Sequence, residues 1–486
     1  MLTTPPVSRP PPEAQVSDAT GRVDVAAEFQ AALDDAWASF AALNFTLANS
    51  GSDWSSPDLG GMVLDLCGGS YLLSSPIRFP AASGGNLHMV NGALHADPAA
   101  FPLGEYVLHI DALRTANKQE RYRFVVLDAL EIDAARRGAG CLRVEQSEET
   151  LVHRLLCVGF TDRGLWSVGV GNELFVQRSW FHELRDYAQC HNDSAKTGTG
   201  IWLDNNDHQI DGVVIYCARQ GIVVNGSATL VRAAHIYTES SLPAEEAACI
   251  RVLPGAATVR LEALYMDGCP VVAEAPKLLH VSGGMWLLGR GTAASQGGIV
   301  LSPGADGAPL PALQITGNQV SGRGFNGSFV RLNETAGIME FDHSQAFATV
   351  VVDNAMDTWT IQKYGTTTPA TRFTKTAVFA GNASTFVVPF SASELLLCGA
   401  AHVTYSLVPH DPEADAFVPH ALVKVQPPLL SLPAVAGKRA PRASEACPPG
   451  SPRLLVTIAT QRPVAGVTIM VRVEQTRPVS AAASPA

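Results

Sequence analysis

The chain has 486 residues, of which only 16% are charged, and its formal net charge at pH 7 is −11. Nucleic acid is bound through clustered Lys and Arg side chains, so this balance argues against a nucleic-acid partner. No apolar run reaches the ~18 residues of a membrane-spanning helix, and no membrane partner is expected. The 42 Gly and 32 Pro residues are typical of a β protein with many turns.

The N-terminal region predicts a leader followed by one helix. Residues 1–22 are polar and rich in proline, which predicts a disordered leader. Across residues 24–40 apolar side chains recur at helical intervals, and this pattern predicts an amphipathic helix. A strand, a glycine turn and a second strand follow at 61–73. The open end of a stack of strands exposes unpaired edges, so we expect the helix to cap it.

A short extended motif repeats at nearly constant register between residues 172 and 237. Residues 172–176 are followed 34 positions later by 206–210, and a third pass begins at Thr229. Repeats of about 20–35 residues are typical of β-strands stacked in a coil, with equivalent residues ~4.8 Å apart. The sequence therefore predicts an all-β fold, with stacked parallel strands over residues 23–355.

The pattern of predicted strands changes in the C-terminal third of the chain. Alternating strands over residues 356–478 predict a small C-terminal antiparallel β domain. Residues 426–452 contain seven prolines and predict a disordered insertion within that domain.

The nine cysteines show no C-x-x-C pair and no zinc-ligand spacing, so no metal site is predicted. Five of them recur at intervals of 16 to 33 residues, namely Cys141, Cys157, Cys190, Cys217 and Cys249. We interpret most as small buried hydrophobic residues, with one or two disulfides possible.

Six N-x-Ser/Thr sites favour a secreted or cell-wall glycoprotein. We then expect its secretory signal peptide to be missing from the N-terminus of this sequence. These sites are Asn44, Asn192, Asn225, Asn326, Asn333 and Asn382. Asn-Gly-Ser and Asn-Ala-Ser also serve as plain turn chemistry, which is the alternative interpretation.

Acidic residues fall in one column of the predicted coil. Glu173 and Asp207 occupy the same position of adjacent repeats, and Asp204 lies three residues before Asp207. Glycoside hydrolysis needs two carboxyl groups, one kept protonated and the other acting as base or nucleophile. Two stacked acids repel, which raises the pKa of one of them. We expect Asp207 to be catalytic, with Glu173 or Asp204 as its partner. The alternative is that Asn206 and Asp207 cap turn amides.

The segment 182–197 is longer and more charged than the other corners, and long loops on a rigid coil build substrate clefts. We expect it to rim a groove whose substrate-binding residues are His235, Tyr237, Asn206, Arg178, Arg185, Lys196, Arg219 and Trp202. Arg and Lys would receive the carboxylates of uronic acids, and Trp would stack on sugar rings. The alternatives are solvated surface charge, a structural histidine and a core tryptophan.

Several segments resemble a known family. Residues 61–77 resemble the entry of pectate-lyase-like right-handed parallel β-helices. The stretch Gly198-Thr-Gly-Ile-Trp-Leu-Asp-Asn-Asn-Asp207 and His235-Ile-Tyr237 look like the quartet-type polygalacturonase proteins of plants. The resemblance covers about residues 24–475 and implies a single-stranded right-handed parallel β-helix. It also implies hydrolysis of a pectic or other acidic cell-wall polysaccharide without a cofactor.

The N-T-D, D-D, G-H-G and R-I-K segments that define the larger polygalacturonase family are absent from the predicted coil. The catalytic residues of that family therefore do not transfer. A polysaccharide lyase stays open, in which Asp204, Asp207 and Asp186 would hold Ca²⁺ and Arg219 would remove a proton. A noncatalytic glycan-binding protein stays open as well, because fold alone does not decide function.

Overall fold

The computed structural model describes residues 17–42, 45–48, 55–80, 84–111, 114–115, 118–119, 121–169, 171–238, 242, 246–274, 276–288, 298–302, 312–322, 329–332, 350–352, 355–356, 372–390, 402–409, 422–426 and 454–474. Most of the predicted leader and nearly all of the predicted insertion lie outside these ranges. Contacts divide the chain into two compact units, Met1–Val272 with Gly291–Ala293 and Ala273–Arg290 with Ala294–Ala486.

Parallel strands of the first unit stack into a coil with three faces. Face 1 consists of Ser147–His153, Asn172–Gln177, Gln209–Asp211, Thr229–Arg232 and Thr258–Glu262. Face 2 consists of Ser70–Leu73, Leu156–Val158, Trp180–His182, Val214–Tyr216, His235–Tyr237 and Tyr265–Asp267. Face 3 consists of Ile77–Arg78, Tyr106–Ile110, Gly140–Glu145, Arg163–Val168, Thr199–Leu203, Gln220–Val224 and Ile250–Val252. The long strands Gly84–Ala96 and Tyr122–Asp133 run along both face 1 and face 2.

The core consists of inward columns, one residue from each coil. Val176 lies opposite Ile210, which lies opposite Val231, and all three side chains are fully buried. Phe181 likewise lies opposite Ile215 in a second buried column. These columns form because side chains at equivalent positions of stacked strands point the same way. The chain is a right-handed parallel β-helix, as predicted.

Left-handed backbone bends mark the passage from face 1 to face 2 in the coils of the first unit. The bend residue has a positive φ, for example 54° at Arg154, 49° at Arg178 and 62° at Gly212. Register places these three residues in one line along the coil, since the residues just before them pair with each other. A second such line runs through the corner between face 3 and face 1, described below.

The N-terminal cap is a single helix, Ala26–Ala41, close to the predicted 24–40. Its buried residues are Ala26, Phe29, Leu33 and Trp37, and the Trp37 ring lies 5.4 Å from that of Tyr122. The predicted leader reaches too far: Thr20–Asp24 is a strand that pairs with Ser70–Leu73. Hydrogen bonds from Ser74 to Asp24 help to hold it. The first unit also contains the strands Phe45–Ala48, Ser55–Asp65, Arg114–Thr115 and Lys118–Gln119.

Six cysteines of the first unit form three disulfides, whereas the sequence interpretation took most cysteines as small buried residues and allowed one or two disulfides. The pairs are Cys141–Cys157, Cys190–Cys217 and Cys249–Cys269, and all six residues are buried as expected. Their Cα atoms are 5.9, 4.7 and 5.2 Å apart, within the range that a disulfide spans. Cys67 is free and exposed.

The second unit contains further parallel strands and an antiparallel sheet. The parallel strands are Leu278–Ser282, Met285–Leu288, Ile299–Ser302, Ala312–Thr316, Gln319–Gly322, Val330–Leu332, Val350–Val352 and Ala355–Met356, and Val271–Glu274 crosses the division between the units. The antiparallel strands are Arg372–Phe390, His402–Pro409, Leu422–Gln426 and Leu454–Glu474. Their cluster of buried residues includes Phe386, Val388, Ile458 and Val471. The small C-terminal antiparallel domain is thus confirmed.

Candidate carboxylate site at one corner of the coil

Three carboxylates lie in one line where face 3 turns into face 1. A parallel bridge pairs Asn172 with Asn206, so Glu173 and Asp207 follow as neighbours on successive coils. Pairing of Glu148 with Asn172 places Glu149 one coil before Glu173. All three acids have a left-handed backbone, with φ of 56° at Glu149, 59° at Glu173 and 62° at Asp207. We call this set Glu149, Glu173 and Asp207 the acid corner.

Electrostatics distinguishes Glu149 from the other two acids. Burial raises the pKa of Glu149, the charge of Arg123 opposes that rise, and the charge of Glu173 adds to it. Glu149 Oε2 is buried and has no hydrogen-bond partner among the described residues. Glu173 and Asp207, by contrast, are exposed. A carboxyl with a raised pKa next to an exposed carboxylate is the arrangement that general acid catalysis requires.

The nearby cations are held by a different carboxylate. Glu148 is buried and bonds to Arg121 and Arg123, with 2.7 Å between Arg123 Nη2 and Glu148 Oε2. Glu149, the next residue, has a left-handed backbone, and Arg123 acts on it through its charge. Among the described residues Glu149 forms no ion pair, and its Oε2 accepts no hydrogen bond.

Asp204 lies at the end of Thr199–Leu203 on face 3, beside the acid corner in sequence. Its carboxylate accepts hydrogen bonds from the indole nitrogens of Trp166 and Trp202, each at 2.7 Å. Asn225 Nδ2 donates a third bond at 3.0 Å. Three donors occupy this carboxylate, so it positions the two rings and is a poor candidate for general base.

The next coil holds the segment between Asp204 and Asp207 in place. Ser227 N donates to Asn206 Oδ1 at 2.9 Å, and Asp207 N donates to Ser227 O at 3.0 Å. Gly226 is required here, because a Cβ would overlap the backbone oxygen of Asn205. Asn206 thus caps a turn amide, which is the alternative role that the sequence allowed.

The two indoles form a flat surface with two arginines. Trp166 pairs with Trp202 on the neighbouring strand. The Arg163 guanidinium lies 4.1 Å from the Trp166 ring centre and 4.3 Å from that of Trp202, and Arg143 lies 5.0 Å from Trp166. Both indoles are partly exposed. Aromatic faces and guanidinium groups are the chemistry that receives sugar rings and uronate carboxylates.

The 182–197 loop contacts face 2 and not the acid corner. Its Glu183 is fully buried and bonds to Arg136 Nη1 at 2.8 Å and to Gly198 N at 2.9 Å. The Cys190–Cys217 disulfide fastens the loop to the end of Val214–Tyr216. The acids and this loop were expected to form one groove. They lie at two different corners of the coil.

The four predicted cations also lie away from the acid corner. Arg178 lies on the bend between faces 1 and 2. Arg185 bonds to Asp133 at 2.6 Å and Arg219 to Glu246 at 2.6 Å. Lys196 is fully buried and donates to Thr238 O and to Asp193. The last three hold the corner between faces 2 and 3 together, because each is engaged by a neighbouring acid.

A cavity of about 690 Å³ opens beneath the loop, with Asp133, Arg136, Arg185 and Asp186 in its lining. Burial alone would raise the pKa of Asp133, but hydrogen bonds from His95 and the Ala135 amide and the charge of Arg185 outweigh it and lower the pKa. Asp133 and Arg185 in the cavity lining are thus paired with each other.

His235 and Tyr237 lie on face 2, apart from the acids. The rings of His235 and Tyr265 are stacked 4.2 Å apart, and those of Tyr237 and Tyr216 are stacked 5.2 Å apart. Burial lowers the pKa of His235.

Sequence reasoning missed Glu149, Arg163 and Trp166. The signal for Glu149 was the run Glu148-Glu149 lying 24 residues before Asn172-Glu173, a shorter interval than the 34 that first revealed the repeat. Trp166 could have been found by extending the register of Trp202 back by one coil. Arg163 gave no sequence signal, because its importance comes from the two rings it contacts.

The parallel β-helix fold agrees with the family resemblance seen in the sequence. The resemblance to the quartet-type proteins is confirmed: Polygalacturonase QRT3 of Arabidopsis thaliana is 29% identical over 427 residues, 87% of this chain and 82% of that protein. No protein-family model matches the chain.

Two similar solved structures are phage tailspikes. The tailspike of Pseudomonas phage phi297 has a TM-score of 0.42 at 9% identity, over 80% of this chain and 66% of that one. A tailspike of E. coli bacteriophage HK620 has a TM-score of 0.41 at 10% identity, over 96% and 92%.

Proposed function

We propose that the chain is a polygalacturonase-like glycoside hydrolase that cleaves an acidic cell-wall polysaccharide at the acid corner. The observation that carries this proposal is the line Glu149, Glu173 and Asp207, in which burial and a like charge raise the pKa of one member. The similarity to Polygalacturonase QRT3 supports the reaction class.

The proposed reaction divides the roles among the three acids. Glu149, whose pKa is raised by burial and by Glu173, donates a proton to the oxygen of the leaving sugar. Glu173, on the adjacent coil, attacks the anomeric carbon or activates water, and Asp207 lies next to it on the other side. Strands are ~4.8 Å apart, a spacing close to the ~5–5.5 Å between the carboxyl groups of retaining hydrolases.

Substrate binding is assigned to the face 3 surface. Sugar rings would stack on Trp166 and Trp202, and Arg163 would pair with a uronate carboxylate. Asp204 would hold both indoles at a fixed angle. The acidic polysaccharide is proposed over a neutral one because a guanidinium lies between the two rings.

Secretion is part of the proposal. Disulfides form and persist in oxidising compartments such as the cell exterior, and the first unit has three. Among the described residues, no helix is long and apolar enough to cross a membrane.

The test is a cleavage assay with conservative variants. We expect the wild-type chain to release new reducing ends from polygalacturonate or rhamnogalacturonan without unsaturated products. Asp207→Asn and Glu173→Gln keep the side-chain shape and remove the ionisable group. If the replaced residue is catalytic, its substitution should lower the cleavage rate by about 10²–10⁴-fold, since general acid–base catalysis contributes that much.

Asp211→Asn is the matched control, because Asp211 ends the strand that follows Asp207, lies outside the corner and is paired with Arg232. Cleavage that survives both corner substitutions would place the chemistry elsewhere. Unsaturated products would indicate a lyase, and binding without cleavage would indicate a glycan-binding protein.

A further inference from the structure

We propose that face 2 is a second glycan-binding surface, distinct from the acid corner, which takes a neutral polysaccharide chain laid along the coil axis. Its rings come from successive coils and form what we call the aromatic ladder: Trp180, His182, Tyr216, His235, Tyr237 and Tyr265.

The ladder has two rows fixed by strand register. In the first row Trp180, Val214, His235 and Tyr265 follow one another on adjacent strands. In the second row His182, Tyr216 and Tyr237 do the same. The His182 and Tyr216 rings lie 3.4 Å apart, and the Tyr216 and Tyr237 rings are tilted by only 7°. The outcome is a nearly continuous strip of rings.

One end of the strip is open to solvent and has a fixed rim. Trp180 is 48% exposed and Tyr187, on the 182–197 loop, is 51% exposed. The Tyr187 ring lies 6.5 Å from that of Tyr216, so it extends the strip sideways. The Cys190–Cys217 disulfide holds the loop at this position.

The chemistry of the strip fits neutral sugars better than uronates. Burial lowers the pKa of His182 to about 4 and also lowers that of His235, so both are neutral at pH 7. In the second row the next residue after Tyr237 is Asp267, which would repel a polyanion. Tyr, His and Trp each combine a flat apolar face with a hydrogen-bonding atom, which matches the C–H face and the hydroxyls of a pyranose.

The shape of the strip argues against a protein partner. Four strands at ~4.8 Å and two alternate positions along each strand give roughly 15 by 7 Å. A stable protein interface buries about 800 Å² per partner, several times the area of this strip. A single polysaccharide chain needs no more than such a strip.

Native gel electrophoresis of the full chain in gels that contain a neutral polysaccharide tests the proposal. The probes are a soluble β-glucan, a xyloglucan and a galactan, with a polysaccharide-free gel as reference. We expect at least one of them to retard the wild type. Trp180→Ala combined with Tyr187→Ala should weaken retardation about tenfold, because stacking on each ring contributes on the order of a three- to tenfold gain. Trp180→Phe with Tyr187→Phe keeps the rings and should restore most of it.

Leu103→Ala is the control for loss of an exposed apolar side chain, because Leu103 is exposed and lies outside face 2. The proposal is overturned by absent retardation with all three probes, by equal retardation of the alanine variant, or by a wild-type dimer that the alanine variant converts to monomer. Asp207→Asn should leave retardation unchanged, so failure of the hydrolase proposal and failure of this one are separable.

Discussion

At the scale of single residues, Glu149 makes the folded state sensitive to pH. Its pKa in the fold lies above the ordinary 4.5, because burial and Glu173 disfavour the charged form. The folded state therefore binds the proton more tightly than the unfolded chain, and stability falls as pH rises from about 4.5 through the raised pKa.

Glu149→Gln should abolish this loss, because glutamine does not ionise. We expect urea unfolding to show the variant gaining free energy of unfolding relative to wild type between pH 4 and pH 7. Glu262→Gln, on face 1 outside the corner, serves as control. A difference between Glu149→Gln and wild type that stays constant with pH would contradict the assignment.

Asp204 shows why residue type and spacing were not enough to assign a role. An aspartate three residues from another acid looked like a catalytic partner, but the indoles of Trp166 and Trp202 both donate to it. Trp166 lies 38 residues earlier, on the preceding coil. Such long-range donors become visible only when the strands are paired.

At the scale of elements, the repeats were predictable because strand periodicity and core columns are local patterns. Val176, Ile210 and Val231 hold equivalent positions of the repeat seen in the sequence, and they lie in one column. The capping helix followed from its apolar spacing. The disulfides did not follow, since pairing depends on which buried positions meet at a corner.

Ile210→Ala tests the core column. Ile210 is fully buried between Val176 and Val231, so the change should lower the free energy of unfolding by about 2–5 kcal/mol. Gln209→Ala, whose side chain points outward from the same strand, should change it by less than about 0.5 kcal/mol. Chemical denaturation of both variants provides the measurement, and equal effects would show that the column does not carry the core.

The corners were harder to predict than the strands. The 182–197 loop was correctly identified as long and charged, but its partner face was not. Glu183 and Lys196, both fully buried, anchor the loop from within. Charged residues in a sequence suggest solvent exposure, and only the surrounding coils show that these two are enclosed.

At the scale of the whole molecule, two candidate glycosylation sites are structurally unequal. Asn192 is exposed on the 182–197 loop. Asn225 is half-buried, and its Nδ2 donates to Asp204, so the atom that a glycan would modify is engaged.

In a secretory host we expect a glycan at Asn192 and none at Asn225. Mass spectrometry of peptides after enzymatic deglycosylation measures occupancy at each site, with Ser194→Ala as the control that removes the Asn192 sequon. Occupancy of Asn225 would show that the hydrogen bond to Asp204 does not protect it. Asn44, Asn326 and Asn333 lie outside the described residues.

The left-handed bends have a consequence for how such a chain can vary. Val176 and Ile210 are 34 residues apart, whereas Ile210 and Val231 are only 21 apart, yet all three stack in one column. Each coil has its own bend, so extra residues can form a longer loop at a corner while the strands on either side keep their spacing. We therefore expect insertions at a corner to lengthen the loop there and to leave the stacked core residues in place.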